Sequence, residues 1–196
     1  MPLWHLRHAA SETVLKNLPE AWLASLREAP GLWRDFVPVS FHVAYWDRLG
    51  WKDRFASEQF TRRQYAYAAQ WRSDSVYTPG FVANGEEWRR PQTLPSRSAE
   101  PAGVLTVDYA ADGRCRVRYE GSGDFEVSVV RLGGGIVSSV RAGENTGRIL
   151  HHEFVALSLL TVPPAEVPGV TRQGLAVWVT RRGDMAPVQA VGGWLD

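Results

Sequence analysis

Two short blocks in the first half of the chain carry the residue types and spacing from which chemistry could be built. In the first, Val76 to Glu86, a Thr-Pro step runs into a short apolar stretch, Phe81 to Ala83, that is closed by Asn84-Gly85. The residue before a proline is driven to extended geometry, and X-Pro is the one peptide bond that adopts the cis form at modest cost. Thr78-Pro79 can therefore start a strand with its backbone turned outward, open to pairing with another chain. Asn84-Gly85 supplies the positive φ angles of a tight hairpin turn. A plain hairpin entered through a trans proline has the same pattern, so both readings stand.

The second block, Val37 to Ala56, places His42 at the end of an apolar run and then interleaves Tyr45, Trp46 and Trp51 with Arg48, Lys52 and Arg54. A histidine at the C-terminal end of a strand in an open sheet lies where ligands bind, and it is equally a hydrogen-bonded core residue. The aromatic and basic residues could stack bases or sugars or hold a peptide; alternatively they fix the shape of a packed Ω-like loop with its charges solvated. The candidate binding residues are His42, Tyr45, Trp46, Trp51, Lys52, Tyr77, Thr78 and Pro79.

Other familiar chemistry finds no footing. The one cysteine, Cys115, lies in a strand-like segment with no helix start nearby, so an inert thiol is expected. His151 and His152 are adjacent in a predicted strand, point to opposite faces, and cannot readily share a metal; no zinc-ligand spacing accompanies them. Gly133-Gly134-Gly135 lacks the Lys-Ser/Thr ending and the following helix of a phosphate loop and reads as a hairpin turn. Gly121-Ser122-Gly123 reads as a turn and is no nucleophile elbow. No catalytic residue, metal ligand or cofactor is assigned.

The run Phe-His-Val-x-Tyr-Trp-Asp-x-Leu-Gly-Trp-Lys-Asp-x-Phe-Ala, from Phe41 to Ala56, followed by Tyr77-Thr78-Pro79, resembles a bacterial family of secreted thioredoxin-like proteins known as domain of unknown function family 1223. Val140-Arg141-Ala142-Gly143-Glu144-Asn145 and Pro187 to Trp194 match it as well, so the resemblance covers about Pro19 to the C-terminus. It implies a thioredoxin-like α/β domain in which the Thr-Pro step is a substrate-binding edge. In that arrangement a strand preceding the redox motif sits centrally, between the strands read at Val37 to Val43 and at Thr78 to Ala83.

The departures from the family bear on activity. Its strand, Cys-x-x-Cys and helix have no counterpart here, since the expected position near Thr13 to Lys16 reads Thr-Val-Leu-Lys. Disulfide exchange needs a thiolate of lowered pKa and a second thiol to resolve the mixed disulfide. An acid that the family pattern places after Phe-His-Val is Ala44 in this chain. Met1 to His8 alternates Trp4 and Leu6 with His5 and Arg7, a poor pattern for a strand buried on both faces. The first fifteen or so residues are accordingly expected to be a divergent, replaced or mispredicted start, leaving the first strand incomplete. Two functions follow as expectations: a redox-inactive protein that binds an extended peptide or protein partner at the Thr-Pro edge, or a thiol-disulfide oxidoreductase-related enzyme of the bacterial envelope.

Positioning elements are legible from periodicity. Pro19 suits a helix's first turn, with Leu18, Trp22, Leu23 and Leu26 on one face. Ser57 is an N-cap for a second helix carrying Phe60, Tyr67 and Trp71. A proline-rich stretch without apolar periodicity, residues 91–102, reads as a linker. It divides a thioredoxin-like domain, 1–90, from an antiparallel β-sandwich-like domain, 103–196. Strands of the latter are expected at Val104 to Tyr109, Cys115 to Tyr119, Phe125 to Leu132, Ile136 to Val140, Ile149 to Leu160 and Leu175 to Thr180, with a turn at Asp112-Gly113.

At 196 residues with 44% hydrophobic content, the chain can build a proper core, and a net charge of +1 provides no general attraction to nucleic acid or anionic lipid. No stretch has the length of a membrane span. The first ten residues lack the uninterrupted apolar core of an export signal, so the secreted location implied by the family stands against a cytoplasmic one for the chain as it reads.

Overall fold

The computed structural model describes residues 3–8, 18–89, 103–110, 115–141, 146–159 and 172–195. The strands are β1 (Leu3–His8), β2 (Val37–His42), β3 (Phe81–Ala83), β4 (Glu86–Glu87), β5 (Val104–Tyr109), β6 (Cys115–Glu120), β7 (Phe125–Gly134), β8 (Ile136–Ser139), β9 (Ile149–His152), β10 (Val155–Leu159), β11 (Arg172–Arg181) and β12 (Pro187–Leu195). Two α-helices, α1 (Leu18–Ser25) and α2 (Glu58–Gln70), accompany them. Eight strands form one mixed sheet in the order β12-β11-β7-β10-β2-β1-β3-β4, while β5-β6 and β8-β9 are separate antiparallel pairs.

The expected weakness at the chain start does not materialise. β1 lies parallel to β2, with Leu3 opposite Val37 and His8 opposite His42, and antiparallel to β3, with Trp4 opposite Ala83. Backbone pairing is indifferent to side-chain pattern. A missing strand here would orphan the ladder groups of both β2 and β3, a penalty that outweighs imperfect alternation.

α2 and α1 cover opposite faces because β2 alternates. Val37, Val39 and Phe41 point to one side, where Phe60 of α2 meets them along with Val130, Leu132, Ala176 and Trp178 from β7 and β11. Phe36 is in the cluster on the other side, with Leu23 of α1, Leu26 and Phe154. Ser57 caps α2 as expected, its hydroxyl accepting from the Gln59 N–H at 3.1 Å. Asn84 and Gly85, at φ 52° and 88°, make the β3–β4 turn.

The later strands depart from the expected β-sandwich. β7, β10, β11 and β12 extend the sheet begun by β2 and share its core. The run Leu175 to Thr180 is buried throughout, as befits a strand covered on both faces. The triple glycine does not close a hairpin: β7 continues through Gly134 in the large sheet, and β8 leaves it to pair with β9. The single strand expected over Ile149 to Leu160 is broken by Phe154, which adopts φ 55° and divides β9 from β10. β12 was not anticipated as a strand. Residues 91–102 and the Asp112-Gly113 turn lie outside the described residues. No described helix is long and apolar enough to cross a membrane.

Candidate functional site

Two groups of side chains stand out around the ends of β2 and β3. The first surrounds the Thr78-Pro79 bond, which is cis. After β2 the chain turns through a short 3-10 segment, Ala44–Leu49, that Gly50 ends at φ 92°. This segment is anchored to α2: Thr61 Oγ1 accepts from the Ala44 N–H at 2.9 Å, and Tyr45 Oη donates to Gln64 Oε1 at 3.0 Å. Gln64 is buried, and its Nε2 donates in turn to the carbonyl of Tyr77 at 2.8 Å. Trp46 Nε1 donates to Thr78 Oγ1 at 3.0 Å. One helix side chain therefore ties the aromatic loop to the Thr-Pro loop, and Trp46 closes the arrangement from above.

Within this frame the backbone N–H and C=O of Thr78 have no hydrogen-bond partner among the described residues. The adjacent Tyr77 ring is 48% exposed, and its hydroxyl donates to Glu87 Oε1 at 2.6 Å. Partial burial, then the hydrogen bond and charge of Glu87, push the phenol up to about 12, so Tyr77 is a neutral donor at any physiological pH. A small cavity of about 30 Å³ lies behind it, lined in part by Gln64, Trp71 and Phe81. That volume holds one or two waters, so the docking feature is the surface edge and not an enclosed pocket.

The second group is buried. His42, 1% exposed, has Nδ1 2.5 Å from Asp53 Oδ2. Asp53 Oδ1 also accepts from the Phe55 N–H at 2.9 Å. The ring of His152 meets that of His42 edge-on at 5.4 Å, and His152 Nδ1 is 3.2 Å from Glu20 Oε1 of α1. Burial alone pushes His42 down, but the charge and hydrogen bond of Asp53, with the charge of Glu20, outweigh it and leave the pKa raised. Burial likewise pushes Asp53 up; the charge and hydrogen bond of His42, the Phe55 N–H and the charge of His152 reverse this and hold the carboxyl well below its usual range. Both shifts favour the charged forms, an imidazolium beside a carboxylate, over the neutral ones.

Of the sequence-derived candidates, Tyr45, Trp46, Tyr77, Thr78 and Pro79 come together. His42 belongs to the buried pair behind them. Trp51 is half-buried and Lys52 exposed on the stretch returning from Gly50 to Asp53, with no described hydrogen bond to the Thr78 loop. Three participants escaped sequence reasoning, Gln64, Asp53 and Glu20, while His152 was weighed there only against a metal site. Asp53 sits inside the Trp-Lys-Asp motif and was open to recognition as a buried partner; Gln64 is one polar residue among several on α2. His151 is exposed and His152 buried, the opposite-face arrangement expected. Among the described residues no group of three or more metal-capable side chains converges.

Cys115 starts β6, half-buried, and burial pushes its thiol up. Alkylation by iodoacetamide at pH 8 should therefore run slower than that of glutathione, and Cys115→Ser should shift stability by under about 1 kcal/mol. A rate matching or exceeding that of glutathione would contradict this.

The fold is similar to that of an X-ray crystal structure of a protein from Agrobacterium tumefaciens, with a TM-score of 0.67 over 97% of this chain and 92% of that one, at 18% identity. No curated protein matches the sequence. A family model described as protein of unknown function (DUF1223) matches residues 18–188, spanning the aromatic loop, the Thr-Pro edge and every strand of the large sheet except β1 and most of β12, and the chain belongs to that family.

Proposed function

We propose that this protein is a thioredoxin-like docking module that binds an extended peptide or protein segment at Thr78 and performs no dithiol exchange. The observation that carries this is the pair of unpartnered backbone groups on Thr78, held in place while the neighbouring Tyr77 carbonyl and Thr78 hydroxyl are both occupied. A donor and an acceptor presented together three residues before β3 are the groups that an added strand would pair with. The order β2-β1-β3, with β1 parallel to β2 and antiparallel to β3, supports the thioredoxin-like reading. The alternative, a thiol-disulfide oxidoreductase, would have to act through Cys115, whose raised pKa opposes it.

A permanently unfolded protein, reduced and carboxymethylated lactalbumin, is a suitable probe. It should bind saturably and slow exchange of the Thr78 amide. Trp46→Ala, which frees the Thr78 side chain, should weaken binding about tenfold, equivalent to roughly 1.4 kcal/mol and in line with one lost orienting hydrogen bond. Absence of saturable binding, or an affinity untouched by Trp46→Ala, would overturn the proposal. Insulin reduction above the rate of dithiothreitol alone would favour the oxidoreductase instead.

A further inference from the structure

The three aromatic side chains at the Thr78 edge all turn their polar tips into the protein. Tyr45 Oη donates to Gln64 Oε1 at 3.0 Å, Trp46 Nε1 to Thr78 Oγ1 at 3.0 Å and Tyr77 Oη to Glu87 Oε1 at 2.6 Å. Tyr45 and Trp46 also lean on each other, with ring centroids 5.4 Å apart. Rings pinned in this way lose little freedom when a chain settles on them, and the surface they present to it is carbon. In a 3-10 turn residues three apart eclipse, so Leu49, 42% exposed, extends the row begun by Trp46, and Arg48 the row begun by Tyr45. The backbone N–H and C=O of Thr78, which have no partner among the described residues, are flanked by the indole of Trp46 and the phenol of Tyr77.

Charge around this edge is uneven. On the aromatic loop Asp47 accepts the Asp53 N–H at 3.1 Å and Asp53 is paired with His42, so both acids are engaged within the loop. Arg48 and Lys52 are exposed, and neither has a hydrogen bond or ion pair among the described residues. On the other side Glu87 is held between the Tyr77 hydroxyl and Arg89, which lies 2.8 Å away, and the exposed Arg72 and Asp74 offset one another. An incoming chain therefore meets an excess of positive charge at the aromatic-loop end and near neutrality at the opposite one.

We infer that the segment received at Thr78 is apolar where it crosses Trp46 and Tyr77 and acidic where it runs past Arg48 and Lys52. This rests on the docking reading above and adds to it the class of sequence selected. The Thr78 backbone sets the register, the two rings select bulky apolar side chains, and the two cations determine the end at which the carboxylates lie.

The test titrates capped Val-Leu-Val-Glu-Glu and Glu-Glu-Val-Leu-Val, the same acidic ligand in both strand directions, into the full-length protein. Each has two counterparts, one with Lys-Lys in place of Glu-Glu and one with Ser-Thr-Ser in place of Val-Leu-Val, and affinity and exchange of the Thr78 amide are read for all. The better acidic peptide should slow that amide's exchange, and should bind at least about tenfold more tightly than its Ser-Thr-Ser counterpart and about threefold more tightly than its lysine counterpart. Tyr77→Ser should remove most of the preference for the apolar core, and Arg48→Glu should abolish the preference for the acidic end. Both side chains are exposed, so neither substitution opens the core. If no peptide protects Thr78, the docking reading falls and this inference with it. If all protect Thr78 with equal affinity, docking stands and the selection inferred here is overturned; tighter binding of the lysine peptides, or preferences that both variants leave intact, overturns it in the same way.

Discussion

Asp53→Ala should destabilise the protein by about 3–5 kcal/mol at pH 5, the range for removing one member of a buried ion pair. The carboxylate is the 2.5 Å partner of a histidine that solvent does not reach, and it also accepts the Phe55 N–H. Its removal leaves an imidazolium buried without that counter-charge, or obliges the ring to lose its proton. Asp53→Asn retains one acceptor but no charge and should fall between wild type and the alanine variant. Urea unfolding at several pH values measures the effect.

The pH dependence distinguishes an ion pair from a neutral hydrogen bond. The lowered pKa of Asp53 contributes stability that is present above its unfolded value, about 3.9, and is lost as the pH falls toward the folded value. The raised pKa of His42 contributes stability that is fully present below its unfolded value, about 6.5, and is lost as the pH rises through the folded one. The pair is therefore worth most between about pH 4 and 6.5. The difference between wild type and Asp53→Ala should peak in that window and shrink on either side. A difference independent of pH from 4 to 9 would show that His42 is neutral throughout and that the bond carries no charge.

What could be read from the sequence divides along the range of the interactions. The Ser57 cap, the Asn84-Gly85 turn and the face of α2 bearing Phe60 and Tyr67 are local and were legible. The partners of the site residues are not local. Asp53 follows His42 by 11 residues and Gln64 follows Tyr45 by 19, and no periodicity within one element relates them. Phe154 breaks a strand that its composition favours, because its ring stacks on Trp194 at 5.4 Å in a left-handed backbone conformation that sequence does not betray. β12 was hidden by Gly192 and Gly193, residues that weaken strand propensity. At Gly192 the reason is packing: a Cβ would lie 2.8 Å from the ring of Trp33, so the aromatic cluster can close only over a bare backbone.

How the two halves on either side of 91–102 relate is tested by Trp178→Ala. Trp178 of β11 is fully buried, and its ring packs edge-on against Phe41 of β2 at a centroid distance of 6.4 Å. The Arg63 guanidinium of α2 lies 5.0 Å from the Trp178 centroid, 5.4 Å from that of Phe41 and 5.2 Å from that of Tyr67. Truncation removes the largest side chain of the shared core and one aromatic face from a half-buried cation. The expected loss is about 3–5 kcal/mol. Because the cavity opens against residues from both sides of 91–102, the loss should be felt on both sides equally. Amide exchange at Val39 and at Val130 should accelerate by the same factor, on the order of 10²–10⁴. Two independently folding domains divided at that stretch would behave otherwise: Val130 would lose protection while Val39 kept it. A common acceleration follows only if β2 and β11 unfold together, and the Thr78 edge shares in that core through α2, whose Phe60 packs in it and whose Gln64 holds the Tyr77 carbonyl.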